Sequence, residues 1–107
     1  MTDNPRYALY KSAYTIVNAS RANAPADFEC TIAGRCCESG DRIAEDTRIA
    51  RPERGDIIAV LTTGAYNFAM SSNYNRVLRP ALVMVSGGKS QLAIRRQTID
   101  DLLALEL

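Results

Sequence analysis

No apolar run in this chain exceeds five residues. The two longest, Ile57 to Leu61 and Ala81 to Val85, have strand length and fall far short of the ~20 residues a membrane-spanning helix needs. From Phe28 the residues alternate. Phe28, Cys30 and Ile32 would face one side, and Glu29, Thr31 and Ala33 the other, as in a half-buried strand. Ile57 to Thr62 is continuous enough for a central strand. Arg79-Pro80 opens a strand over Ala81 to Val85, where proline is tolerated at the first position. Ser86-Gly87-Gly88-Lys89 then turns the chain back into Gln91 to Arg96, a hairpin.

Helical signals are confined to the ends. Asp3-Asn4-Pro5 reads as a capped helix start, and Tyr7, Tyr10 and Tyr14 follow at spacings of three and four. That helix must be brief, because Tyr14 to Val17 is already β-branched in character. Thr98-x-x-Asp101 resembles a capping box, with Ile99, Leu102 and Leu103 as an apolar face behind it. Between these ends, Asn18 to Asp27, Gly34 to Asp41 and Pro52 to Asp56 read as loops or turns. A short strand is expected near Arg42–Ile43, and a helical turn within Ala65 to Ser72. The expected class is mainly β: a thin antiparallel sandwich with a short helix near each end.

At 107 residues the chain has room for one domain, and 47% hydrophobic with 23% charged residues is a globular composition. A net charge of +1, with Arg95-Arg96 as the lone basic pair, gives no footprint for nucleic acid. With no signal-peptide-like stretch and no span, the chain reads as cytoplasmic. Three cysteines, two of them the neighbours Cys36-Cys37, do not suggest a disulfide framework. There is no histidine, so no Ser-His-Asp or Cys-His pair can form within the chain, and no zinc-site spacing occurs. Any chemistry falls to cysteine, carboxylates, tyrosine and arginine, or to another polypeptide.

Three segments carry a resemblance: Met1-Thr2-Asp3-Asn4-Pro5-Arg6-Tyr7-Ala8-Leu9-Tyr10, then Cys37-Glu38-Ser39-Gly40-Asp41, then Gly64-Ala65-Tyr66 continuing to Met70-Ser71-Ser72-Asn73-Tyr74-Asn75. Arg79-Pro80-Ala81 and Arg95-Arg96-Gln97-Thr98 extend it to nearly the whole chain. Together they resemble the C-terminal end of the diaminopimelate decarboxylase family, fold-type III enzymes related to alanine racemase. The resemblance implies that residues 1–107 are one C-terminal β domain, an antiparallel sandwich or Greek-key, barrel-like unit. The family's N-terminal TIM-type barrel would lie outside this sequence. It further implies a pyridoxal 5'-phosphate carboxy-lyase that converts meso-diaminopimelate to L-lysine, the last step of lysine biosynthesis, and a homodimer with its active sites at the interface.

By the same resemblance, Arg6 and Tyr10 are similar to substrate-binding residues. Cys37 is similar to a proton donor supplied from the partner subunit, Glu38 to a substrate contact, and Tyr66 to a tyrosine touching both cofactor and substrate. The residue types suit the chemistry. A carbon losing CO2 must receive a proton on one face, which a thiol in an interfacial loop can deliver. The distal end of an amino-acid substrate calls for an arginine for its carboxylate and an acid for its ammonium. Without the motif, Cys37 would be an ordinary thiol, the tyrosine stripe packing, and Glu38 and Asp41 turn formers; Cys30 reads as a small buried hydrophobe. Arg6 near a helix start is poorly placed for the helix dipole, which favours another role.

Neither lysine, Lys11 or Lys89, falls in a matching motif for the cofactor's Schiff base, so the chain alone is expected to be inactive. It is also expected to self-associate through exposed apolar edges. A domain of a related ornithine, arginine or carboxynorspermidine decarboxylase, or a non-catalytic β-domain binding module, are the other readings.

Overall fold

A computed structural model of the chain describes residues 7–107. The helix start at Asp3-Asn4-Pro5 and the candidate Arg6 lie outside the described residues. Helix α1 (Tyr7–Tyr10) is followed by strands β1 (Ile16–Asn18), β2 (Phe28–Ala33), β3 (Arg42–Ile49) and β4 (Ile58–Val60). After a long irregular stretch come β5 (Leu82–Ser86), β6 (Lys89–Ile94) and helix α2 (Ile99–Leu103). The strands form three antiparallel pairs, β1 with β4, β2 with β3 and β5 with β6, so the described residues are mainly β.

Local chemistry explains most boundaries. Helix α1 stops because Lys11 turns left-handed (φ 53) while its amide donates to the Tyr7 carbonyl at 2.8 Å. Tyr14 therefore leaves the helical stripe and packs against the core instead. Strand β2 shows the expected alternation, with Phe28, Cys30 and Ile32 half-buried and their neighbours exposed. Strand β3 is eight residues long, well beyond the expected Arg42–Ile43. Its register against β2 shifts between Cys30↔Thr47 and Ile32↔Ala44, and Asp46 lies in that gap with φ 49, so a bulge interrupts the alternation that would reveal the strand. Strand β4 is shorter than Ile57 to Thr62 and pairs with β1 alone among the described strands. The β5–β6 hairpin turns through Gly87 and Gly88, both at positive φ (55 and 73), as a two-residue loop matched to strand twist demands.

The core is small. Ile16, Ile43, Ala44 and Ile49 are buried, and Tyr14, Cys30, Ile32, Ile58 and Val60 pack around them. Beside it, buried Asn18 donates to the Asp56 carboxylate at 2.9 Å and to the Ala50 carbonyl at 3.4 Å. The same carboxylate receives the Arg21 Nε at 2.9 Å and the Glu53 amide at 3.0 Å, tying the 19–21 turn to the 52–56 turn.

Residues 71–79 have little regular structure, yet several side chains hold them. The Asn73 amide donates to the Val77 carbonyl (2.8 Å) and to Gln97 Oε1 (2.6 Å), and the same Gln97 oxygen accepts the Arg79 amide (3.0 Å). Arg79 Nη2 donates to the Ser71 carbonyl at 3.1 Å. At the C-terminal end the expected capping box is present: Thr98 and Asp101 exchange side-chain and backbone hydrogen bonds, and Arg95 pairs with Asp101.

Candidate active site

The loop between β2 and β3 carries Cys37 and Glu38. Its base is closed by the Gly34 amide donating to the Asp41 carbonyl at 2.8 Å. The buried Asp41 carboxylate turns inward and accepts the Cys36 amide at 2.8 Å, with the Cys36 thiol donating to it as well. Cys36 is thereby directed into the loop, while its neighbour Cys37 is exposed. Glu38 is also exposed, and its carboxylate accepts the Gly40 amide at 3.3 Å.

The Cys37 sulfur meets a segment 38 residues away. Asn75 Nδ2 donates to Sγ at 3.3 Å, and the Tyr74 hydroxyl forms a second hydrogen bond to it. Asn75 (φ 54, ψ 27) and Arg76 (φ 55) are both left-handed, a conformation that asparagine tolerates better than most side chains. The Asn75 amide, and after it the Tyr74 hydroxyl, hold the Cys37 thiol below its ordinary pKa. Reciprocally, negative charge on Cys37, with desolvation, pushes the Tyr74 phenol up, and Glu38 and Cys36 add to that push. Two donors to the sulfur stabilise the thiolate that is left behind when the thiol gives up its proton.

A second group of candidates lies elsewhere. Tyr10 and Tyr66, both largely exposed, share a cavity of about 400 Å³ with Ser12, Tyr14, Asn67 and Met70. Tyr66 is left-handed too (φ 70), an uncommon backbone for an aromatic residue and one that recurs at binding sites. Neither Cys37 nor Glu38 lines this cavity. A larger space of about 860 Å³, bounded by Gly34, Cys36, Ile43, Phe68 and Val77 among others, is lined by none of the described candidates Tyr10, Cys37, Glu38 and Tyr66.

Cys37 and Glu38 are neighbours in the chain, whereas Tyr10 and Tyr66 are brought together by the fold, in a cavity that neither Cys37 nor Glu38 lines. Sequence reasoning missed Asn75 and Tyr74 as site residues. They stood in a motif only as family markers, and their one local signal is an asparagine-rich stretch without periodicity, a natural place for left-handed backbone.

Residues 1–64 match the protein family described as "Pyridoxal-dependent decarboxylase, C-terminal sheet domain". The chain belongs to this family. It is 43% identical over 107 residues to the diaminopimelate decarboxylase of Bacillus subtilis, covering 100% of this chain and 24% of that protein. It is 47% identical over 103 residues to that of Synechocystis sp., covering 96% and 22%. The diaminopimelate decarboxylase of M. jannaschii, solved in complex with L-lysine, superposes with a TM-score of 0.89 at 34% identity, covering all of this chain and 24% of that one. The chain therefore spans about a quarter of the length of the relatives it matches.

The family's cofactor is pyridoxal-based, and the Tyr10–Tyr66 cavity suits part of such a group: two aromatic rings for a planar ring, with Ser12 and Asn67 as polar neighbours. It offers no anchor. No lysine lines it; Lys11 Nζ instead lies 5.4 Å over the Tyr7 ring, and Lys89 stands in the β5–β6 hairpin. Among the described residues no cluster of histidine, cysteine and carboxylates suits a metal ion, and no helix is long and apolar enough to cross a membrane.

Proposed function

We propose that this chain is the single C-terminal β domain of a diaminopimelate decarboxylase, which removes CO2 from meso-2,6-diaminopimelate to leave L-lysine. The observation that carries the reading is Cys37, exposed, flanked by Glu38 and hydrogen-bonded by Asn75 at 3.3 Å. Pyridoxal phosphate, when bound, would supply the electron sink for the bond that breaks; Tyr66 of this chain would contact it, and the Schiff-base lysine would come from the N-terminal barrel.

The chain's own residues do the rest. Cys37 presents its S–H to the carbon that has lost CO2, and the proton moves from Sγ to that carbon. Glu38 receives the distal ammonium, and Arg6 the distal carboxylate. Tyr10 and Tyr66 bind the substrate, Tyr66 also touching the cofactor. The separation of the Tyr10–Tyr66 cavity from Cys37 and Glu38 supports a homodimer in which each active site draws one pair from each subunit. A carboxylate-binding Arg6 and the 43–47% identity to diaminopimelate decarboxylases favour this substrate over ornithine, arginine or carboxynorspermidine.

The test is complementation. The chain is mixed with the separately expressed barrel of the B. subtilis enzyme and pyridoxal phosphate, and CO2 release from meso-diaminopimelate is measured. Activity that vanishes with Cys37→Ala is the expected result. Two parts that bind each other and release no CO2 overturn the reading in favour of a non-catalytic module.

A further inference from the structure

The Cys37 sulfur is held by two residues that lie outside its own loop and outside the candidate site residues of the sequence analysis. Asn75 reaches it with Nδ2 at 3.3 Å, and the Tyr74 hydroxyl adds a second hydrogen bond. The reach depends on an unusual backbone, Asn75 and Arg76 being left-handed in succession. Neighbours outside the site keep it so. Asn73 bridges Val77 and Gln97, and Arg76 Nη2 pairs with Glu106 Oε1 at 2.9 Å. A conformation uncommon for these side chains, braced from several sides and ending on a sulfur, is the pattern expected where backbone strain serves a site.

We propose that Asn75 and Tyr74 are positioning residues for Cys37, aiming its sulfur and stabilising the thiolate that remains once its proton has gone to the substrate carbon. This rests on Cys37 being the proton donor. In that step the S–H bond breaks, a C–H bond forms with the electron pair left by CO2, and the sulfur keeps its own pair as thiolate until water reprotonates it. Glu38 and Cys36 are the other titratable groups acting on this cluster, and they act on the Tyr74 phenol, which they help to keep protonated as a donor to the sulfur. The Asn75 amide does not titrate and donates at every pH, so its hold on the sulfur persists throughout the working range.

The test uses the chain itself. Alkylation of Cys37 by iodoacetamide is followed from pH 5 to 9 by fragment-ion sequencing of the peptide that holds both Cys36 and Cys37, which reads the label on Cys37 apart from that on Cys36. Asn75→Gly keeps the left-handed backbone and removes the amide; Tyr74→Phe keeps the ring and removes the hydroxyl. Each should move the midpoint to higher pH and slow alkylation at pH 7 by roughly three- to tenfold, since only the thiolate reacts. Unchanged midpoints in both variants overturn the inference, and should Asn75→Gly lose its fold, Tyr74→Phe decides alone. In the complemented enzyme the same variants should lower kcat with KM unchanged. A decarboxylase that survives Cys37→Ala would overturn the proposed function while leaving the alkylation result, and the hold on the sulfur, in place.

Discussion

At the base of the Cys37 loop the Asp41 carboxylate fills the space that a side chain on Gly34 would need. The Gly34 amide donates to the Asp41 carbonyl at 2.8 Å, and a Cβ on Gly34 would overlap the Asp41 carboxylate. That carboxylate is buried and bound to the Cys36 amide, so it cannot swing aside without losing the hydrogen bond that shapes the loop. Gly34→Ala should therefore destabilise the domain by about 1–3 kcal/mol. It should also loosen the Cys37 contact with Asn75. Urea denaturation gives the first and the pH midpoint of Cys37 alkylation the second; a neutral Gly34→Ala would show the loop base to be pliable.

Asn18→Ala removes the buried amide that joins Asp56 to the Ala50 carbonyl. Leaving a buried acceptor unmatched costs about 1–3 kcal/mol, which should appear as a lower urea midpoint with the denaturant slope unchanged.

Acid should weaken the fold through two carboxylates, Asp56 in this cluster and Asp101 at the start of α2. Asp56 is held below the ordinary carboxylate range by the Asn18 amide first, then by the Glu53 amide and Arg21. Asp101 is held well below it by the Arg95 guanidinium, with Thr98 assisting. Both folded-state values are depressed, so the stability they contribute is complete above the unfolded value of about 3.9 and drains as pH falls from there toward the folded values. Thermal melts from pH 7 to 2 should fall most steeply below about pH 4. With Asp56→Asn the acid-linked part of that fall should shrink.

Thr98→Ala should remove one half of the capping box and cost roughly 1 kcal/mol. Helix α2 has only five residues and an exposed surface, so the loss should show as faster amide exchange in residues 99–103 and leave β2 and β3 protected.

Glu38→Gln tests the proposed ammonium contact. In the complemented enzyme, loss of a charged partner should raise KM for meso-diaminopimelate by roughly 10- to 100-fold with a smaller effect on kcat. A variant with unchanged KM would remove Glu38 from the substrate's surroundings.

Much of the fold is legible in the chain because its signals are local. The alternation in Phe28 to Ala33, the two glycines of the β5–β6 turn and the Thr98–Asp101 box each depend on residues a few positions apart, and each is found where the sequence places it. Strand β3 escaped because the bulge at Asp46 resets its alternation, a pairing effect visible only when β2 lies alongside. The β-branched character of Tyr14 to Val17 predicts that α1 ends before it, but not that Lys11 ends the helix by turning left-handed.

The site divides in the same way. The sequence by itself determined which residue types stand where: a cysteine before a glutamate in a glycine-bracketed loop, and tyrosines at 10 and 66. Only the tertiary structure decided that Asn75, 38 residues from Cys37, would point its amide at the thiol, and that Tyr10 and Tyr66 would face a cavity the thiol does not enter. The reason is physical. Composition and spacing encode backbone preference over a few residues, whereas a hydrogen bond between distant loops depends on braces at Gln97, Asn73 and Glu106 that come together only once the chain has folded.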